Sequence, residues 1–294
     1  MKKISLMDLQ QEVTGLHDLG LNALSGGGFD IHPDGHYFRA SSAGMCMRKA
    51  MFAYLQCKQI PRAPESRRTL YHGTKIHEWA DKAVDMIVWK MGGSIIRMVP
   101  YRLAAFNHLF SDSCILGADV CVNGTLDHLY LAFTDDGMKL VIVDHKSANE
   151  YAFKRYKRDG AAAHHRAQVG TYHSAIMPLV HALGLKSRDV YTFMAYISKK
   201  DLEVHVSYVD HAVREAAENY WGNVAGVHRE MFDTTGAMKI DAALPAAQPF
   251  EKWECNYCDY CSNHESCCSI TTVRDLETVG MVSHEFVVAN EGGV

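Results

Sequence analysis

The sequence has no long hydrophobic run. Nowhere in its 294 residues do about 18 apolar residues follow one another, so no membrane-spanning helix is expected. The opening stretch, "MKKISLMDLQQEVTGL", has a basic pair but no apolar core of the signal-peptide kind, because Asp8, Gln10, Gln11 and Glu12 interrupt it. A cytoplasmic location is expected. Strong charge imbalance is also missing. A formal net charge of −4 argues neither for nor against a nucleic-acid partner, so any such contact has to come from a local basic surface. No internal repeat and no low-complexity tract is found, which leaves out repeat architectures. What remains is an ordinary globular composition, 48% hydrophobic and 22% charged, long enough for one large domain or two modest ones.

Strand-like and helix-like segments alternate, which gives an α/β class. Residues 1–36 read as an N-terminal helical appendage ending in the breaker "SGGGF". "SSAGMCMRKAMFAYLQ" reads as a helix with Ser41 or Ser42 as N-cap. "PRAPESRR" reads as a polar connection. In "TLYHGTKIHEWADKAVDMIVWKMGG", Ile76, Ala80, Ala83, Val84 and Ile87 recur at three and four, the helical period. "NGTLDHLYLAF" and "MKLVIVDHK" flank the turn sequence "TDDG" and predict an antiparallel hairpin. Two further helices and a second hairpin, "DVYTFMAYI" with "LEVHVSYV", follow.

The chemical signal lies at the end of the first hairpin. "LVIVDHKSA" runs four apolar β-formers into Asp144, His145 and Lys146. The apolar lead-in implies a central strand, where Asp144 and Lys146 share a side. A loop pairing Phe133 with Met138 sets Asp127 opposite Asp144, and one pairing Asp135 with Met138 sets it opposite Lys146. Either way the three converge on one face. Two carboxylates on adjacent strands suit a Mg²⁺ or Mn²⁺ ion, which polarises a phosphoryl oxygen and acidifies a water. A neighbouring Lys adds positive charge where negative charge develops. Asp144 and Lys146 therefore read as metal ligand and catalytic cation rather than as an ion pair.

"GTLD" followed by "VIVDHKSA" resembles the PD-(D/E)XK nuclease superfamily, in its RecB-like branch. Gln168 and Tyr172 match that branch's Q-x-x-x-Y helix, and "HGTKIHEWAD" matches its G-x-x-x-H-E helix. The resemblance spans about residues 38–268. It implies a central mixed β-sheet flanked by helices, a restriction-endonuclease-like core, over a domain of 37–270 with a C-terminal tail at 271–294. It also implies that His77, Asp127, Asp144 and the carbonyl of His145 bind the metal, that Lys146 is the catalytic Lys, and that Gln168 and Tyr172 position the Lys or the DNA backbone. An imidazole ligand leans the choice toward Mn²⁺ over Mg²⁺. The implied activity is DNA hydrolysis, expected to be exonucleolytic on single strands or DNA ends, in recombination, repair or phage DNA metabolism. The competing reading is a non-catalytic nucleic-acid-binding module with a structural metal site.

Five of the nine Cys fall between 255 and 268, in "WECNYCDYCSNHESCC". C-x2-C turns present two thiolates to one metal, and zinc and iron–sulfur are both open. Some members of the resembled branch join one early Cys to three late ones around a [4Fe–4S] cluster, which here implies Cys46, Cys255 or Cys258, Cys261 and Cys267, with Cys268 least suited. Such a clip would staple the N-terminal and C-terminal segments together. Zn²⁺ is the alternative. "FKRYKR" places Lys154, Arg155, Lys157 and Arg158 around Phe153 and Tyr156, a pattern that tracks phosphates while rings stack on bases. Arg48, Lys49, Arg62, Arg67 and Arg68 are weaker candidates for a DNA-entry surface.

Overall fold

A computed structural model describes residues 38–60, 64–90, 95–98, 122–233, 238–249, 251–260 and 268–281. The expected appendage at 1–36 lies outside these residues. The strands are β1 (Phe38–Arg39), β2 (Ile95–Met98), β3 (Val122–Asn123), β4 (His128–Thr134), β5 (Gly137–Ala148), β6 (Val190–Ser198) and β7 (Val204–Val209). The helices are α1 (Met47–Tyr54), α2 (Pro64–Lys90), α3 (Glu150–Asp159), α4 (Ala163–Ala175), α5 (Met177–Ala182), α6 (Val213–Met231), α7 (Lys252–Asn256) and α8 (Val273–Thr278).

Five strands form one mixed sheet in the order β2-β4-β5-β6-β7, and β1 and β3 form a separate parallel pair. The expected first hairpin is present, with Phe133 opposite Met138 and His128 opposite Val143. β5 is the middle strand and runs parallel to β6. This explains the uninterrupted apolar run, since both faces of "LVIV" are buried. Leu140 and Ile142 face a core shared with Val169 and Tyr172 of α4, while Val141 and Val143 face Ile76, Ala80 and Val84 of α2. The sheet is thus sandwiched, with α2 on one side and α4 on the other. Behind α4 lies α6, and the two approach so closely that a Cβ on Gly170 would collide with the Val213 carbonyl oxygen.

Three local expectations are corrected. The helix expected from Ser41 or Ser42 starts at Met47, after a 3-10 turn at Ala40–Ser42. Gly44 interrupts it with φ +71°, and its missing Cβ leaves room for Ala167. The polar connection "PRAPESRR" is helical from Pro64 onward, because proline is well tolerated in a first turn. The expected C-terminal tail at 271–294 is in part core: Val273 and Leu276 are fully buried, and Thr272 caps α8 in a capping box with Asp275.

The early and late parts of the chain are joined by hydrogen bonds. The Cys46 backbone N–H donates to Glu254 Oε1 at 2.9 Å. Arg48 is buried and donates to the carbonyls of Pro245 (2.7 Å), Cys268 (3.0 Å) and Ile270 (2.6 Å). Its guanidinium holds the C-terminal segment in place, which removes it from the candidate DNA-entry surface.

Candidate active site

The hairpin register carries Asp127, one residue before β4, to a position across from Asp144. The backbone N–H of His145 donates to Asp127 Oδ2 at 2.7 Å. This bond fixes the carboxylate at the sheet end, where β4 and β5 diverge.

Asp144 is 2% exposed and points toward α4. Gln168 Nε2 donates to its Oδ1 at 3.2 Å and to the Tyr172 hydroxyl at 2.7 Å. The i, i+4 spacing of Gln168 and Tyr172 therefore makes one hydrogen-bonded unit that ends on the acid. Lys146 Nζ lies 2.5 Å from Asp144 Oδ2, so the two residues form an ion pair. Burial pushes the Asp144 carboxyl up to about 6, against the pull of Lys146 and with a further push from Asp127. Burial, followed by the Asp144 charge, also raises the Tyr172 hydroxyl, which stays protonated.

On the other face, α2 delivers His77. A Cβ on Gly73, one turn earlier, would sit 2.9 Å from Ser147 Oγ, so the glycine lets α2 approach the end of β5. His77 Nδ1 is 3.7 Å from Asp127 Oδ2, and His145 Nδ1 is 3.9 Å from the same oxygen. One helical turn on, Asp81 Oδ1 is 3.1 Å from His128 Nε2. Asp81, His128 and His145 each bring one ligand atom within 4.8 Å of the other two. The sequence reading missed Asp81 and His128. Two signals pointed to them: the H-x-x-x-D spacing on α2, and a His adjoining Asp127 in "TLDHLYL".

A family model described as the PD-(D/E)XK nuclease superfamily matches residues 39–268. The chain belongs to the PD-(D/E)XK nuclease superfamily. Its mixed sheet flanked by helices is the restriction-endonuclease-like core of that superfamily. No curated protein matches the chain. A solved structure titled "Crystal structure of SSO0001" is similar over 86% of this chain and 93% of that one, with 13% identity and a TM-score of 0.35. So distant a likeness adds nothing about the site.

In this PD-(D/E)XK chain, His77 from α2, Asp127 from just before β4, and Gln168 and Tyr172 from α4 are brought to the end of β5 that carries Asp144 and Lys146. The donor types fit an oxygen-preferring dication, since Asp127 lies near enough for its charge to help raise the Asp144 carboxyl, but His77, Asp127 and Asp144 do not bring three ligand atoms within 4.8 Å of one another as Asp81, His128 and His145 do. Asp144 Oδ2 is buried and its charge is met by the Lys146 ammonium.

Four cysteines of the described residues also gather. The Cys255 thiol is raised by burial and then by the neighbouring Cys268, Cys46 and Cys258. The Cys46 thiol is raised mainly by burial, and the Cys268 thiol by burial and by Cys258. Cys268, the least suited from sequence, is thus within this group, while Cys261 and Cys267 lie outside the described residues.

The basic segment is not a connection but helix α3, entered through Asn149, whose side chain accepts from the Ala152 N–H. Phe153 and Tyr156 point into the core, three apart on its buried face, so they are not platforms for base stacking. The cations all have acidic partners: Lys154 with Glu150 at 2.8 Å, Arg155 with Glu251 at 3.3 Å, Lys157 with Glu203 at 2.5 Å and Arg158 with Asp159 at 2.6 Å. Lys49 lies 3.8 Å from Asp259. Arg62 and the side chains of Arg67 and Arg68 lie outside the described residues. No helix among the described residues is long and apolar enough to cross a membrane.

Proposed function

We propose that the chain is a metal-dependent deoxyribonuclease of the RecB-like branch, acting as an exonuclease on single-stranded DNA or DNA ends. The observation that carries this reading is the convergence of Asp127, Asp144 and Lys146 at the end of β5, with His77 facing Asp127. His77, Asp127, Asp144 and the His145 carbonyl would hold Mn²⁺ or Mg²⁺. Such an ion would supply Lewis acidity toward the scissile phosphate and toward a water.

The protein's own residues do the rest. Asp127 is held by the His145 N–H, and Asp144 by Gln168, so both carboxylates are preset before any ion arrives. Lys146 carries positive charge to the point where negative charge grows on the phosphoryl oxygens. Gln168 and Tyr172 act through Asp144 as positioning residues. The exposed ammonium and guanidinium groups of Lys154, Lys157 and Arg158 on α3 follow the active strand and would track the DNA backbone, trading acidic partners for phosphates. Arg155 contributes less, because it is half-buried against Glu251.

The thiols would form the second metal centre. A [4Fe–4S] cluster on Cys46, Cys255 or Cys258, Cys261 and Cys267 remains the reading, with Zn²⁺ as the alternative; support comes from the approach of Cys46 to the late cysteines. Anaerobically purified protein should then show a broad visible band that Cys46→Ala removes, whereas colourless protein with stoichiometric zinc overturns the cluster. A cytoplasmic role in recombination, repair or phage DNA metabolism follows from the same reading. The activity itself is tested with end-labelled single- and double-stranded DNA in Mn²⁺ or Mg²⁺. Stepwise shortening of the single strand supports exonuclease action, and cutting of covalently closed circles contradicts it.

A further inference from the structure

We propose that Asp81, His128 and His145 form a second binding site for a transition-metal dication, Zn²⁺ by preference, on the sheet face opposite Asp144 and adjoining Asp127, whose Oδ2 is 3.9 Å from His145 Nδ1. Side chains alternate along β5, so the imidazole of His145 points to α2 while Asp144 and Lys146 point to α4. His128 on β4 is opposite Val143 and therefore shares the α2 face with His145. Their rings meet edge to face at 4.7 Å. Asp81 comes down from α2, one turn past His77.

Three features favour a metal over a hydrogen-bonded cluster. The three ligand atoms lie within 4.8 Å of one another, and the Asp81–His128 pair is 3.1 Å apart. Neighbouring ligands of a tetrahedral zinc with its usual bond lengths sit roughly 3.3 Å apart. Secondly, both ring nitrogens of His128 are buried, and neither makes a hydrogen bond among the described residues, even with Asp81 so close. An imidazole fully withdrawn from water with neither nitrogen bonded is costly unless something else satisfies it. Thirdly, two imidazoles and one carboxylate are a zinc-type donor set rather than a magnesium one. The side chain of Asp81 is half exposed, so an ion can enter from solvent and keep a water as its remaining ligand.

The ion would tie α2 to β4 and β5. That tie holds His145, whose backbone N–H orients Asp127, and α2, which carries His77. The site does not depend on whether the chain cuts DNA.

The test counts metal. Full-length protein is stripped with chelator, reloaded with Zn²⁺, dialysed and assayed for bound zinc. The unaltered chain, Asp81→Asn, His128→Asn, Asp144→Asn and the Asp81→Asn/Asp144→Asn double variant are compared, with circular dichroism as a check on folding. The expected result is one fewer zinc in Asp81→Asn and in His128→Asn than in the unaltered chain, and one fewer in the double variant than in Asp144→Asn. Zinc should raise the melting temperature of the unaltered chain more than that of folded Asp81→Asn. Equal counts in the unaltered chain, Asp81→Asn and His128→Asn overturn the site. A double variant that holds as much zinc as Asp144→Asn also overturns it, because the ion then belongs to the Asp127–Asp144 centre.

Discussion

The backbone N–H of His145 donates to Asp127 Oδ2 at 2.7 Å. This bond makes the hairpin register and the candidate active site the same fact. A slip of one residue between β4 and β5 would turn Asp144 and Lys146 to the α2 face and break the bond.

Gln168 holds the other carboxylate. Replacing it with Ala removes the donor to Asp144 Oδ1 and to Tyr172 but leaves the charges in place. Cleavage should fall about tenfold to a hundredfold, as when supporting partners of metal ligands are lost. The loss should appear in kcat or in metal affinity, measured by titrating Mn²⁺ against rate, with the fold intact by circular dichroism.

Asp144 is held ionised at a cost. Burial raises its carboxyl to about 6, above the value of about 3.9 for a free Asp. A raised acid binds its proton more tightly when folded, so stability falls as pH rises from the unfolded value through the folded one. Above pH 6 in chelator, Asp144→Asn should be more stable than the unaltered chain, by on the order of 1 kcal/mol. Urea titrations at pH 8 check this, and a destabilised variant would show that the pair with Lys146 outweighs the burial.

Arg48 should matter for folding rather than for DNA. Arg48→Met leaves three carbonyl acceptors without their donor, two of them on the far C-terminal segment. A loss of about 3 kcal/mol is expected, read as a lowered urea midpoint. Lys154→Ala should leave stability almost unchanged, since its pair with Glu150 is exposed.

His173 should make the fold acid-sensitive. It is fully buried in α4, and burial lowers it to about 4, helped by Arg214 and His211. Below the ordinary His value of about 6.5 the unfolded chain takes up a proton that the folded chain refuses. Stability attributable to neutral His173 is therefore complete above pH 6.5 and lost as pH falls toward 4. His173→Asn should flatten the decline of the urea midpoint between pH 7 and 4.5, and an unchanged slope would assign the sensitivity to another group.

How much of this was legible in the sequence differs from residue to residue. The β5 run and the "TDDG" turn together specified a central strand and narrowed the hairpin to two registers, of which the structure has Phe133 opposite Met138, because a buried two-sided strand needs unbroken apolar residues and the turn leaves few pairings. Gln168 with Tyr172 was legible as a helical pair. The Asp144–Lys146 ion pair was not, since only the closed packing of α4 over the acid shows how little water reaches it. Helix α3 is hard to read because its dense charges mask Phe153 and Tyr156, whose spacing is that of a buried helical face. Asp81 and His128 escaped because they meet across the sheet's second face, and contacts between a helix and a strand more than forty residues apart leave no local pattern. The role of Arg48 was hidden for the same reason, its partners lying some two hundred residues away.

The central claim is metal-dependent DNA hydrolysis by the Asp127, Asp144 and Lys146 group. The most direct measurement is cleavage of end-labelled single-stranded DNA in Mn²⁺ by the unaltered chain, Asp144→Ala and Lys146→Ala, each shown to be folded. The unaltered chain should cut, and each variant should lose ~100-fold or more in rate. Full Mn²⁺-dependent cleavage by either variant would contradict the account.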